Sequence, residues 1–228
     1  MSALQLMKEQ RQDLLARALT VNEIFLSLQG ETSRTGLPTV FIRLTGCPLR
    51  CRYCDTEYAF HQGEKTTIGA ILNTVTEFNT RHVTVTGGEP LAQKNCLHLL
   101  TQLCDEGYQV SLETSGALDI SGVDPRVSRI LDLKTPGSGE EPKNLYSNLA
   151  LLSPRDEIKI VICDRHDYEW AQQQLNEHRL NERCEVLFSP AHDVLDARIL
   201  ADWILQDKLP ARLQIQLHKY LWGNERGH

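Results

Sequence analysis

Three thiols fall within eight residues of this 228-residue chain: Cys47, Cys51 and Cys54, spaced C-x3-C-x2-C inside Gly46-Cys47-Pro48-Leu49-Arg50-Cys51-Arg52-Tyr53-Cys54-Asp55-Thr56. Thiolates are the preferred protein ligands of iron–sulfur clusters and zinc, and such tight spacing lets one loop wrap one compact centre. A closed structural site takes four ligands, and this loop offers three cysteines. On a four-iron cluster that leaves one iron without a protein ligand and open to a small molecule. The alternative is a zinc site completed by His61, although structural zinc ligands usually come as two separated pairs. Disulfides fit poorly. The chain has seven cysteines, an odd number, and no apolar signal-peptide core is read at its amino terminus, so reduced thiols are expected.

Further polar groups collect after short apolar runs. The cysteine loop follows Val40-Phe41-Ile42-Arg43-Leu44, and Thr86-Gly87-Gly88-Glu89-Pro90 follows His82-Val83-Thr84-Val85. Two adjacent glycines remove every Cβ, so backbone groups there can approach a ligand or take positive φ. Glu113-Thr114-Ser115-Gly116 and Asp132-Leu133-Lys134 end two more runs. Their carboxylates suit a cationic or amino-bearing ligand, and Lys134 suits a carboxylate. Lys159 sits among apolar residues in mid-run and either points inward or snorkels outward. Gln29 and Glu31 follow Val21 to Leu28 and read either as part of a turn or as hydrogen-bonding groups delivered to a pocket. Thr56, two residues past Cys54, is either a local hydrogen bonder or a hard oxygen ligand suited to magnesium.

Parallel (βα) folds gather ligands at the carboxyl ends of their strands, and the rest of the chain supplies such strands. Runs rich in β-branched residues predict strands at 39–45, 82–86, 109–114, 129–134, 157–163 and 184–188. Helices are predicted between several of them, at 67–79, 92–105, 166–180 and 193–206. Cys96, Leu99, Leu100 and Leu103 form one apolar face, and Leu195, Ile199, Leu200, Trp203 and Ile204 another. Residues 2–19 read as a short helix outside the main body, and Thr135 to Asn148 as one long loop. Alternating strands and helices imply an α/β fold with a mostly parallel sheet. Six such strands are too few for a closed eight-fold barrel, so a partial (βα)6-type barrel is expected, with residues 1–228 as one domain and 1–20 as a helical extension.

Bulk properties narrow the class. Hydrophobic content of 41% and charged content of 24% are those of an ordinary globular protein. A net charge of −6 argues against general binding to nucleic-acid phosphate. No apolar run approaches the roughly eighteen residues of a membrane span. Cytoplasm is the expected location.

The three-cysteine loop, with Tyr53 before its last cysteine, resembles that of the radical S-adenosylmethionine (SAM) superfamily, and Gly87-Gly88-Glu89 resembles its GGE motif. In that superfamily the open iron of a [4Fe-4S] cluster chelates SAM, and one electron cleaves the sulfonium to a 5′-deoxyadenosyl radical. Several stretches are similar, in order and spacing, to one family within it, 7-carboxy-7-deazaguanine synthase (QueE) of the queuosine pathway. They are Glu23-Ile24-Phe25 with Leu28-Gln29-Gly30-Glu31, Phe41-Ile42-Arg43-Leu44 into Gly46-Cys47, Cys54-Asp55-Thr56, His82 to Pro90, Leu112 to Gly116, and His218 to Asn224.

That resemblance implies conversion of 6-carboxy-5,6,7,8-tetrahydropterin to 7-carboxy-7-deazaguanine with loss of ammonia, SAM acting as a regenerated cofactor. It assigns Leu28, Gln29, Gly30, Arg43 and Thr86 to the substrate, with Glu31, Glu113 and His218 as further pocket residues. Arg43 suits the substrate carboxylate because a guanidinium grips it with two bonds. Tyr53, Cys54, Asp55, Gly88, Asp132, Leu133 and Lys134 fall to SAM, and Cys47, Cys51 and Cys54 to the cluster. Thr56 matches a Mg2+ ligand. The resemblance further implies a homodimer and an electron donor such as flavodoxin. The first twenty residues extend beyond the family's usual start, and Asp132-Leu133-Lys134 stands where some members read Ser-Pro-Lys. Two rivals remain: an activating enzyme that places a glycyl radical on a partner protein, and a zinc-stabilised binding module.

Overall fold

The computed structural model describes residues 2–227; Met1 and His228, the ends of the expected 1–228 unit, lie outside the described residues. Six parallel strands form where the β-branched runs predict them: β2 (Pro38–Leu44), β4 (His82–Gly87), β5 (Gln109–Thr114), β6 (Ser128–Asp132), β7 (Glu157–Ile162) and β8 (Glu185–Pro190). Two short strands were not expected, β3 (Glu64–Thr67) and β9 (Arg212–Leu213), and β1 (Ala18–Leu28) completes a single sheet in the order β3-β1-β2-β4-β5-β6-β7-β8-β9. Its ends do not pair, so the barrel is partial. β1 runs antiparallel to both β2 and β3. Strands β4 and β7 are buried almost throughout, as parallel strands covered on both faces must be.

The helices follow the apolar periodicity. α2 (Ile68–Glu77) buries Ile68, Ile71, Leu72 and Val75, and the Thr67 hydroxyl accepts from the Ala70 N–H at 3.2 Å as its cap. α3 (Cys96–Asp105) buries Cys96, Leu99, Leu100 and Leu103, the face read from the spacing. α4 (Arg165–Glu177) starts at Asp164, whose carboxylate accepts from the Asp167 N–H at 2.9 Å. α5 (Ala197–Asp207) buries Leu200 and Ile204, but Ile199 is exposed, so its apolar stripe is narrower than expected. None of the described helices is long and apolar enough to cross a membrane.

Three expectations need correction. The amino-terminal helix, α1 (Ala3–Ala16), stops short of residue 19 because Leu19 is drawn into β1 and buried in the core. The helix expected from 92 starts at Cys96, because Gln93 and Asn95 are used elsewhere. The Gln93 side chain bonds the Thr20 N–H at 2.8 Å and the Thr20 and Thr45 carbonyls at 2.9 Å, and Asn95 donates to Ala18 O at 2.9 Å. The stretch after β6 is three short 3₁₀ turns, Pro136–Ser138, Glu141–Lys143 and Tyr146–Leu151, rather than one open loop. A final short helix, α6 (Leu217–Trp222), was also unforeseen.

Candidate active site

A cavity of about 700 Å³ opens at the carboxyl ends of the parallel strands, and its lining includes every residue that the family resemblance assigns to cluster, SAM, metal or substrate except Leu133. Leu133 is buried in the hydrophobic core instead, its N–H bonded to Lys159 O at 2.8 Å. Strand alternation explains this: Asp132 and Lys134 point one way and the residue between them the other.

The cysteine loop forms the first wall. Leu49 anchors it in the core, the Gly46 N–H donates to Ala59 O at 2.8 Å, the Arg52 N–H to Ser138 O at 3.0 Å, and the Arg50 N–H to the Glu140 carboxylate at 2.7 Å. Cys47, Cys51 and Cys54 are all partly buried and face the cavity. Burial pushes the Cys51 thiol up to about 11 and raises Cys47, while the Lys134 ammonium pulls both the other way. His61, the proposed fourth zinc ligand, is exposed and does not line the cavity. Among the described residues, no set of three or more His, Cys, Asp or Glu side chains converges as a single-ion site would.

The glycine pair earns its place through this loop. A Cβ on Gly87 would collide with Leu44 O, and one on Gly88 with Gly46 O and the Cys47 side chain. Gly87 therefore lets the end of β4 lie flush against the end of β2, and Gly88 lets it lie against the cysteine loop. Glu89 is buried and turned away from the cavity. Its carboxylate accepts from Thr114 Oγ1 (2.9 Å), the Ser115 N–H (2.7 Å), Ser115 Oγ (2.5 Å) and the Leu91 N–H (2.9 Å), stitching the β4 and β5 ends together.

Asp132, Lys134 and Tyr53 make the second wall. Lys134 Nζ lies 2.9 Å from Asp132 Oδ2 and 5.7 Å from the Tyr53 ring centre. Burial alone would lower Lys134, but Asp132, Tyr53 and Cys51 around it raise it above the ordinary lysine value. Asp132 Oδ1 and the Tyr53 hydroxyl are buried with no hydrogen-bond partner among the described residues. Such orphaned groups, beside three thiols and a glycine cradle, fit an amino- and carboxylate-bearing ligand held next to a cluster.

The third wall joins β1, β2, β4, β5 and β7. Glu113 accepts from Thr86 Oγ1 at 2.9 Å and from Gln29 Nε2 at 3.5 Å. Burial, reinforced by Glu31, raises its carboxyl, while Lys159 acts the other way. Glu31 pairs with Lys159 and accepts from Gln216 Nε2 at 2.8 Å. Arg43 donates from Nε to Glu23 Oε1 at 2.7 Å, and Tyr58 donates to the same oxygen at 2.8 Å. This leaves the terminal guanidinium nitrogens of Arg43 for a ligand carboxylate. Phe25 and Phe41 stack 5.2 Å apart beside them, and Leu28 adds an apolar edge.

The carboxyl-terminal segment closes the rim. The Leu217 N–H bonds Gly30 O at 2.9 Å, and His218 packs where a Gly30 side chain would stand. Burial lowers the His218 imidazole, with Glu31 and Asp55 opposing. Lys219 Nζ lies 3.6 Å from Asp55. Burial would raise that carboxyl, yet the cations Lys219, Lys159, Arg43 and His218 hold it below its ordinary value. Thr56 donates to Asp55 Oδ1 at 3.4 Å.

Sequence reasoning passed over Glu23, Tyr58, Gln216 and Lys219, all of which line or brace this cavity. Glu23 opens one of the quoted segments, and Gln216 and Lys219 flank His218; Tyr58 had no signal.

Comparison with known proteins agrees with this geometry. The family model described as the radical SAM superfamily matches residues 41–177. A 7-carboxy-7-deazaguanine synthase of Chlorobaculum tepidum is 47% identical over 90% of this chain and 94% of its own. A synthase of the same name from Koribacter versatilis is 41% identical over 91% and 98%. The crystal structure of QueE from Escherichia coli superposes with a TM-score of 0.73 at 25% identity, covering 96% of this chain and 100% of that one. Streptococcus suis SuiB, at 14% identity and a TM-score of 0.53 over 75% of this chain and 47% of its own, shares the fold. The chain belongs to the 7-carboxy-7-deazaguanine synthase family of the radical SAM superfamily.

Proposed function

We propose that this chain converts 6-carboxy-5,6,7,8-tetrahydropterin to 7-carboxy-7-deazaguanine with loss of ammonia. One observation carries the reading: the three thiols and a pocket pairing a guanidinium with buried carboxylates open onto the same cavity. About 700 Å³ is the size of a small-molecule site.

Cys47, Cys51 and Cys54 would hold the [4Fe-4S] cluster, which with bound SAM supplies one-electron, hydrogen-abstracting chemistry. Asp132 Oδ1, the Tyr53 hydroxyl, Lys134, Asp55 and the backbone at Gly88 would position SAM, and Leu133 could contribute through its backbone alone. On the opposite side Arg43 would grip the pterin carboxylate. Gln29, Glu31, Glu113 and Thr86 would meet the N–H and carbonyl edge of the heterocycle, with Leu28, Gly30 and His218 closing around it. Thr56 would give one hard oxygen to Mg2+, which usually completes its shell from substrate and water. The same reading takes the chain as one domain, with α1 (Ala3–Ala16) as its helical extension in place of the expected 1–20, working in the cytoplasm as a homodimer with a donor such as flavodoxin.

The test is anaerobic reconstitution with iron and sulfide, then addition of SAM, dithionite and the carboxytetrahydropterin. Product with the mass and absorbance of 7-carboxy-7-deazaguanine is expected. SAM cleavage with the pterin left intact refutes the substrate assignment and favours a glycyl-radical activating role. Stoichiometric zinc without charge-transfer absorption refutes the cluster.

A further inference from the structure

Lys159 is neither a cluster ligand nor a SAM contact in the reading above, yet it stands inside the cavity. On β7 the alternation of the pleat sends Ile158, Ile160 and Ile162 into the core and Lys159 and Val161 to the cavity side. Register places Lys159 opposite Asp132 on β6 and Leu187 on β8. Its ammonium pairs with Glu31, and both side chains are largely buried, at 16% and 9% exposure. Burial would lower this lysine, but Glu31, Asp132 and Glu113 outweigh it and raise it above the ordinary value.

Glu31 and Glu113 face one pocket, and two like charges sharing a desolvated site disfavour joint ionisation. The surroundings of the two carboxylates differ. Glu113 is met by a hydroxyl and an amide, Thr86 and Gln29, whereas Glu31 is met by a full positive charge. A carboxylate offers about four lone-pair sites. Lys159 takes one on Oε2 and Gln216 one on Oε1, which leaves acceptor capacity for a ligand.

We propose that Lys159 is a positioning residue for the pterin, its ammonium holding Glu31 as the ionised acceptor that meets the N–H edge of the heterocycle. The inference rests on the substrate assignment above. The charged and hydrogen-bonding groups around Glu31 are Lys159 on β7, Glu113 on β5, Gln216 at the start of α6 and His218 within it. Asp132 on β6 acts through Lys159, and Asp55 in the cysteine loop through His218. Without the ammonium, Glu31 and Glu113 face one desolvated pocket with no counter-charge at Glu31, which disfavours the doubly ionised pair and weakens the hold on an N–H donor at lower pH.

The test is steady-state turnover of the carboxytetrahydropterin by reconstituted holoenzyme across about pH 6 to 9. In Lys159→Met, KM rises by about tenfold or more while kcat falls less, and kcat/KM gains a limb that drops as pH is lowered. Lys159→Arg restores both KM and the profile. The double variant Glu31→Gln with Lys159→Met carries no unpaired buried charge, so it folds, keeps the raised KM and loses the limb. A Lys159→Met enzyme with the wild-type KM and pH profile, or a Lys159→Arg enzyme no better than it, overturns this inference alone. A wild-type enzyme that cleaves SAM and leaves the pterin untouched overturns the substrate assignment and this inference together.

Discussion

Replacing Gly88 with alanine places a methyl group where the cysteine loop already stands. The new Cβ would lie 2.7 Å from Gly46 C and 2.8 Å from Cys47 Cβ, closer still to Gly46 O. Unstrained carbon pairs sit at about 3.5–4.0 Å, so relief needs a shift of about 0.8 Å. The backbone resists that shift: Gly88 N–H donates to Leu44 O at 3.1 Å, Glu89 N–H to Gly46 O at 2.7 Å, and Gly46 N–H to Ala59 O at 2.8 Å. Overpacking of this kind costs about 1–3 kcal/mol, or about 2–12 °C of melting temperature for a chain of this size. The larger effect is on the thiol. Metal–ligand distances tolerate errors of only about 0.2 Å, so moving Cys47 disrupts the cluster even where the fold survives. Iron and sulfide per chain after reconstitution, SAM cleavage and thermal unfolding of the apoprotein are measured together. Gly36→Ala is the control. Gly36 has positive φ, at +87°, but nothing stands within 4 Å of its Cβ position, so Gly36→Ala costs about 1 kcal/mol of backbone strain and keeps its iron. A Gly88→Ala protein with wild-type iron content and SAM cleavage would refute the close-approach argument.

Cys51→Ala is expected to lose cluster retention and turnover together. Cys96→Ala, fully buried on α3, keeps its iron and gives up about 1 kcal/mol of stability; iron analysis beside urea denaturation separates the two. Glu23→Gln removes the charge that aligns Arg43, so KM for the carboxytetrahydropterin rises several-fold while uncoupled SAM cleavage continues; an unchanged KM would show that Arg43 needs no bracing. Asp156 is buried and bonded at both oxygens by Arg129, at 3.1 Å and 2.6 Å. Burial would raise its carboxyl, but Arg129 and Ser153 hold it below the ordinary 3.8. A lowered folded value means stability present above about pH 4 and lost as pH falls through the lower folded value. Asp156→Asn therefore costs about 3 kcal/mol at neutral pH, and denaturation series should show a shallower acid limb.

The cysteine triplet, the glycine pair and the six β-branched runs were readable because each carries its meaning within a few residues. Spacing declares a ligand loop, two glycines declare a missing side chain, and a short branched run declares a strand. The glycines have a second use that the sequence did not show. The missing Cβ of Gly88 makes room for the cysteine loop and that of Gly87 for the end of β2, partners more than forty residues away in sequence that no local pattern reveals. Glu89 likewise proved to be a brace between strand ends. The breaks before Cys96 and after Ala16 escaped because tertiary bonds from Gln93 and Asn95, and the recruitment of Leu19 into β1, override helical propensity.

By itself the sequence determined the ligand chemistry, the six longer strands of the parallel core and the end of the sheet where polar groups gather, since residue type and period settle these locally; the two-residue β9, parallel to β8, escaped it. Only the folded chain decided which way Lys159 points, that Glu31 rather than Glu113 receives its charge, that Leu133 leaves the cavity, and that the carboxyl-terminal segment reaches back over Gly30. Those outcomes depend on which side of a pleat meets which neighbour, and on pairings between residues as far apart as Glu31 and Gln216, which a linear pattern does not encode.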